Sequence, residues 1–160
     1  MPLHTDDDRT SAPGLFHFAR SYWQSGVRLH HDKVKVTHPE APVTLLLAHA
    51  FELYLKAFLR LRGLGVKQVK TGYGHDFRKL VEEAEARGLR LDDEDKEVAA
   101  ILTEQESIRR SRYIETGFLI RPSLRALSST CRSLDESVSA ALATDGHKVR
   151  TIALDHIEED

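Results

Sequence analysis

Four side chains of complementary chemistry fall on one line of the stretch 43–62, VTLLLAHAFELYLKAFLRLR. His49, Glu52, Lys56 and Arg60 are spaced 3, 4 and 4 residues apart, so on a helix they share a narrow stripe of one face. Glu52 and Lys56 stand at i,i+4 with the acid first, the favourable order. Such a stripe could wall a polar cleft that takes an anionic ligand, because a poorly solvated Glu–Lys pair needs partners. The plainer reading is the wet edge of a bundle helix, with an ion pair that fixes packing. A second group, Arg109, Arg110 and Arg112 with Arg121 and Arg125 beyond, could hold phosphates or simply complement a helix dipole.

Other chemistries find little support. The nine histidines invite a metal, but a di-iron bundle needs two Glu-x-x-His pairs and further carboxylates. Within the helical stretches only the reversed His49-x-x-Glu52 occurs. His30 and His31 are adjacent and point apart on a helix. A single cysteine, Cys131, rules out a Cys-based zinc set. No metal or cofactor is expected. The run GLGVK after the stripe lacks the Gly-x4-Gly-Lys-Ser/Thr spacing of a phosphate loop. No Gly-x-Ser-x-Gly is present, and Cys131 sits on an apolar seam, so a nucleophile has no candidate.

The elements that must position these residues read as helices. The stretch 43–62 is apolar on most of its circumference, which suits the central member of a bundle, with Leu46, Phe51, Leu53, Leu55, Phe58 and Leu59 buried. A first helix opens near Pro13 and runs to about His31, with Phe16, Phe18, Tyr22 and Trp23 on a broad apolar face. Gly26 inside it points to close helix approach. The glycine-rich stretch 63–75 predicts a loop, after which Asp76 caps a short helix ended by Gly88. A fourth helix opens in the acidic run 92–95 and closes at Arg109, Arg110 and Arg112, followed by an extended link over 113–120. A fifth starts at Arg121-Pro122. Its Leu124, Leu127, Cys131, Leu134, Val138 and Ala141 form a narrow seam for antiparallel packing or a dimer contact.

The expectation is therefore an all-α protein, a five-helix up-and-down bundle over residues 13–146. It is flanked by a disordered tail at 1–12 and a C-terminal tail at 147–160. A chain of 160 residues makes one domain. Net charge is −2, so attraction to nucleic acid would have to come from a local basic patch. The lone cysteine favours a reducing compartment. The acidic N-terminus lacks a signal-peptide core, and Glu52, Lys56 and Arg60 interrupt the apolar stretch, so a cytoplasmic protein without a membrane span is expected.

Three segments in order, HAFELYLKAFLRLRG, YGHDFRKLVEEAEARGL and a helix ending RRSRY, resemble the HEPN family of small helical bundles. The matching positions are Glu52, Leu53 and Lys56, then Gly74, His75 and Asp76, then Arg112 and Tyr113. The resemblance spans about residues 15–142. It implies a homodimer, a ligand such as RNA or a nucleotide, and in some members a nucleotidyltransferase partner protein or a toxin–antitoxin role. The ligand-binding candidates are Glu52, Lys56, His75, Asp76, Arg112 and Tyr113 from the resemblance, with His49 and Arg60 from the stripe and Arg109 from the basic group. Many HEPN proteins are metal-independent ribonucleases using Arg-x4–6-His. Here the only such spacing is Arg150…His156, in the tail. The favoured expectation is a non-catalytic binding module. A ribonuclease with His75 or His156 as the imidazole, and Arg112 or Arg150 as the cation, is the alternative. A purely structural adaptor is the third reading.

Overall fold

The computed structural model describes residues 10–109 and 121–159. Among these residues the chain is all-α, with five helices, a π-helical turn and no strand. Arg110, Arg112, Tyr113, the link at 113–120 and the first nine residues lie outside the description.

The first helix, α1, spans Ala12–Asp32. Ser11 begins it by accepting the Gly14 N–H at 3.1 Å, with Pro13 in the first turn. It opens one residue ahead of the expected boundary, and Lys33, at φ 47°, ends it. Its buried side is Ala12, Phe16, Ala19, Arg20, Trp23, Gly26 and Val27. The broad aromatic face divides in two, because Phe16 and Trp23 are fully buried whereas Phe18 and Tyr22 are exposed.

The second helix, α2, spans Glu40–Leu61 and starts three residues before Val43, which places Pro42 in the first turn. It packs on α1 in antiparallel fashion. Phe16 meets Tyr54 with ring centroids 5.7 Å apart, while a Cβ at Gly26 would fall 3.0 Å from Leu47 Cδ2. The missing side chain at Gly26 is what lets the two backbones approach there. By length and composition α2 could cross a membrane, but 72% of its most apolar window is buried inside the bundle. Phe51, Leu53, Leu55, Phe58 and Leu59 are buried as expected. Leu46 is only partly buried, and Leu45 is half exposed on the side of α2 away from buried Val43 and Leu47.

The glycine-rich stretch is more ordered than a loop. It holds the π-helical turn Gln68–Gly72, anchored by buried Val69 against α2. Helix α3, Phe77–Ala86, is capped by Asp76, whose Oδ1 accepts the Lys79 N–H at 3.1 Å. Gly88, at φ +101°, turns the chain. Helix α4, Asp93–Arg109, carries Asp93, Glu94 and Asp95 in its first turn, where the dipole favours them. Helix α5, Leu124–Thr144, begins three residues after Arg121 because the Ser123 hydroxyl caps it, accepting the Ala126 N–H at 3.1 Å.

The α5 seam is used inside the chain. Leu124, Leu127, Cys131, Leu134 and Val138 are buried, and the Cys131 thiol reaches the Leu47 carbonyl of α2 at 3.4 Å. It is therefore not a free dimer contact. Around α2 lie α1, α5, α3 and the π turn, an enclosure that explains a helix apolar nearly all round.

Candidate functional site

The stripe on α2 is not a solvated edge. Glu52 is 4% and Lys56 9% exposed, because the chain between the π turn and α3 folds back over that face. Glu52 accepts the Lys56 ammonium through Oε1 at 2.5 Å and the His75 Nδ1–H through Oε2 at 2.8 Å. An ionised carboxylate only accepts hydrogen bonds, so Nδ1 carries the proton in this contact and Nε2 is left for solvent or a ligand. The His75 side chain is 54% exposed against 5% for Glu52. The result is a buried carboxylate that orients an accessible imidazole and is balanced by an adjacent ammonium.

His49, one turn earlier, joins this group. Its imidazole pKa is held below the usual value chiefly by burial; Glu52 opposes that, while the charges of Lys56 and His75 add to it. Tyr22 of α1 packs edge-on against it with centroids 4.5 Å apart. Asp76 does not face the group as a ligand residue, since its carboxylate caps α3.

Arg60 leaves the stripe. Its guanidinium donates to the Thr10 carbonyl at 2.9 Å and to the Leu64 carbonyl at 2.7 Å, tying the entrance of α1 to the end of α2. It borders a separate open cleft of about 610 Å³ lined with Ser11, Pro13, Leu61, Asp145 and His147. Arg109 ends α4, and its side chain, with Arg112 and Tyr113, lies outside the described residues.

Of the tail residues Arg150 and His156, the structure describes main-chain and ring contacts with α1. The Arg150 carbonyl accepts from Arg20 at 2.6 Å, and the His156 ring stacks on Trp23 with its Nδ1 buried and unpartnered. The neighbours His30 and His31, which helical geometry sets apart, touch edge to face at 5.6 Å where α1 ends. No group of three His, Cys, Asp or Glu among the described residues is placed to hold a metal. The buried Cys131 thiol has its pKa pushed up, first by desolvation and then by Asp135 and Asp95, so it is a poor nucleophile.

A second polar cluster had no counterpart in the sequence reading. Arg20 of α1 grips Asp135 of α5 with two hydrogen bonds, 2.9 and 2.8 Å, and Tyr54 of α2 donates to the same carboxylate at 2.7 Å. All three residues are buried. The Tyr54 phenol has its pKa raised by burial and by Asp135. Every group is satisfied and none is open to a ligand, so the cluster fixes how three helices meet. One signal for it exists in the sequence: lone charges of opposite sign on the otherwise apolar faces of two helices.

No protein-family model matches this chain, and comparisons with curated proteins and with solved structures return no significant match.

Proposed function

We propose that the chain is a non-catalytic HEPN-like module that binds a nucleotide or an RNA segment at the His75 wall of α2, as a homodimer in the cytoplasm. The observation that carries this reading is Glu52, a buried carboxylate that holds Lys56 on one oxygen and presents the half-exposed His75 with the other. It adds geometry to the resemblance of the Glu52-Leu53, Lys56 and Gly74-His75-Asp76 segments. Charge neutrality within the pair keeps the wall from repelling an anion, and the imidazole supplies a donor when protonated. Exposed Phe18 and Tyr22 of α1, with Tyr22 against His49, and Leu45 of α2 are apolar surface available to a second copy.

The test is fluorescence anisotropy with a labelled single-stranded RNA and with nucleoside triphosphates. His75→Ala, Lys56→Met and Arg112→Met are expected to lose binding at least tenfold while far-UV circular dichroism is unchanged. Binding unaltered in all three variants would return the group to a packing role, that of a structural adaptor.

One observation favours an enzyme as second reading. A carboxylate on Nδ1 of a histidine is the arrangement that readies Nε2 for proton transfer, as a metal-independent ribonuclease requires. RNA cleavage that persists in EDTA and disappears in His75→Ala would establish it. Intact RNA after long incubation would leave the binding module.

A further inference from the structure

The C-terminal residues fold back along α1 and are held mainly through their main chain. Arg20 Nη1 donates to the Arg150 carbonyl at 2.6 Å. The Gln24 side chain donates to the Asp155 carbonyl at 3.1 Å and accepts the Asp155 N–H at 2.8 Å, pairing with that residue as a neighbouring strand would. His31 Nε2 donates to the His156 carbonyl at 3.0 Å, and the Ser128 hydroxyl of α5 takes the Ile157 N–H at 3.5 Å. Side-chain recognition is confined to a few places. Ile157 is buried, and His156 stacks on Trp23. Asp155 lies 3.6 Å from His31. The segment has no regular secondary structure of its own. Contacts that read carbonyls and N–H groups, with one apolar anchor, are those by which proteins take extended peptides.

The groove is larger than its occupant. Beside the segment lies an open space of about 840 Å³, lined by the apolar Leu29, Val34 and Val43, by Lys33, and by the acidic Glu40, Asp155, Glu158 and Glu159. Val34 and Lys33 are exposed there, and no described carboxylate pairs with Lys33. The exposed Lys33 and the acidic tail residues thus line one space. We propose that this face of α1 and α5 is a binding site for an extended peptide, occupied in cis by this chain's own residues 150–159 and able to release them. The features selected are main-chain groups presented to Arg20, Gln24 and His31, an apolar residue at the position of Ile157, and acidic residues around it.

Tethering gives the cis segment an effective concentration of about a millimolar or more, so a free peptide competes only when the cis segment is weakened. The experiment uses the full chain and a fluorescein-labelled synthetic peptide of residues 150–160. Ile157→Ala is expected to shift emission of the single tryptophan, Trp23, to the red as His156 lifts away. The same variant should bind the peptide at least tenfold tighter than the unaltered chain does. Adding Gln24→Ala to it should abolish that binding with the helical circular dichroism kept. Should Ile157→Ala fail to fold, Asp155→Pro serves instead, since it removes the N–H that Gln24 accepts together with the carboxylate beside His31. Absence of peptide binding in a folded variant with a shifted Trp23 spectrum overturns the proposal. Equal binding by the unaltered chain and the variants overturns it as well, marking a nonspecific surface.

Discussion

Glu52 accepts a hydrogen bond from His75, 23 residues further along the chain, at 2.8 Å. The contact pins the end of the glycine-rich connection to the middle of α2 and fixes which imidazole nitrogen is free. Glu52 also carries Lys56, so loss of either carboxylate oxygen affects both the closure of this connection and the balance of a buried charge.

Replacing Glu52 is the most informative change at this site. Glu52→Gln preserves shape but leaves the Lys56 ammonium without its counter-charge in a position 9% exposed. A loss of about 3–5 kcal/mol in urea unfolding is expected. His75→Ala takes a donor from Glu52 Oε2 but lets water in where the half-exposed ring stood, so a smaller loss of about 1–2 kcal/mol is expected. Comparable losses for the two would mean that the imidazole is a packing element rather than a presented group.

Leu55→Ala tests the place of α2. This side chain is fully buried in the core that α2 shares with its neighbours, so truncation is expected to cost about 2–5 kcal/mol. An unchanged melting temperature would place α2 at the edge of the bundle.

The Arg20–Asp135–Tyr54 cluster should show strong coupling. Arg20→Met leaves the Asp135 carboxylate with only the Tyr54 hydroxyl, and Asp135→Leu strands the guanidinium. Each single change is expected to cost about 3–5 kcal/mol, the double change clearly less than the sum. Strict additivity in a double-mutant cycle would contradict the geometry.

His49 predicts a pH dependence of stability. Burial holds its pKa below the ordinary 6.5 in the folded chain, so around that value the unfolded chain binds the extra proton. The contribution of the neutral ring is complete above about pH 6.5 and is lost as pH falls through the lower folded value. His49→Gln should flatten the decline in melting temperature between about pH 7 and pH 5. A slope unaltered by the substitution would assign the decline to other groups.

Phe18, 64% exposed on α1, with Tyr22 of the same helix and Leu45 of α2 also exposed, is the expected centre of a dimer contact. Light scattering should return twice the chain mass for the unaltered protein and the single-chain mass for Phe18→Glu. A monomer in both cases rules the contact out.

The sequence by itself determined the helical class, the central place of 43–62 and the cap at Asp76, because periodicity and capping chemistry act over a few residues. Spacing also put His49, Glu52 and Lys56 on one stripe. It did not decide whether water reaches that stripe. The 63–75 connection settles that by bringing His75 over Glu52, a contact that no local pattern encodes. Arg60 obeys the same spacing yet belongs elsewhere, since the carbonyls of Thr10 and Leu64 lie within its reach. The α5 seam suited a partner helix in either the same chain or another, and only packing on α2 chose the former. Arg20 and Asp135, 115 residues apart, and the tail held by Gln24 and His31 are juxtapositions made by the way three helices meet. Their residue types were in view all along, but distance in sequence says nothing about distance in space until the core has closed.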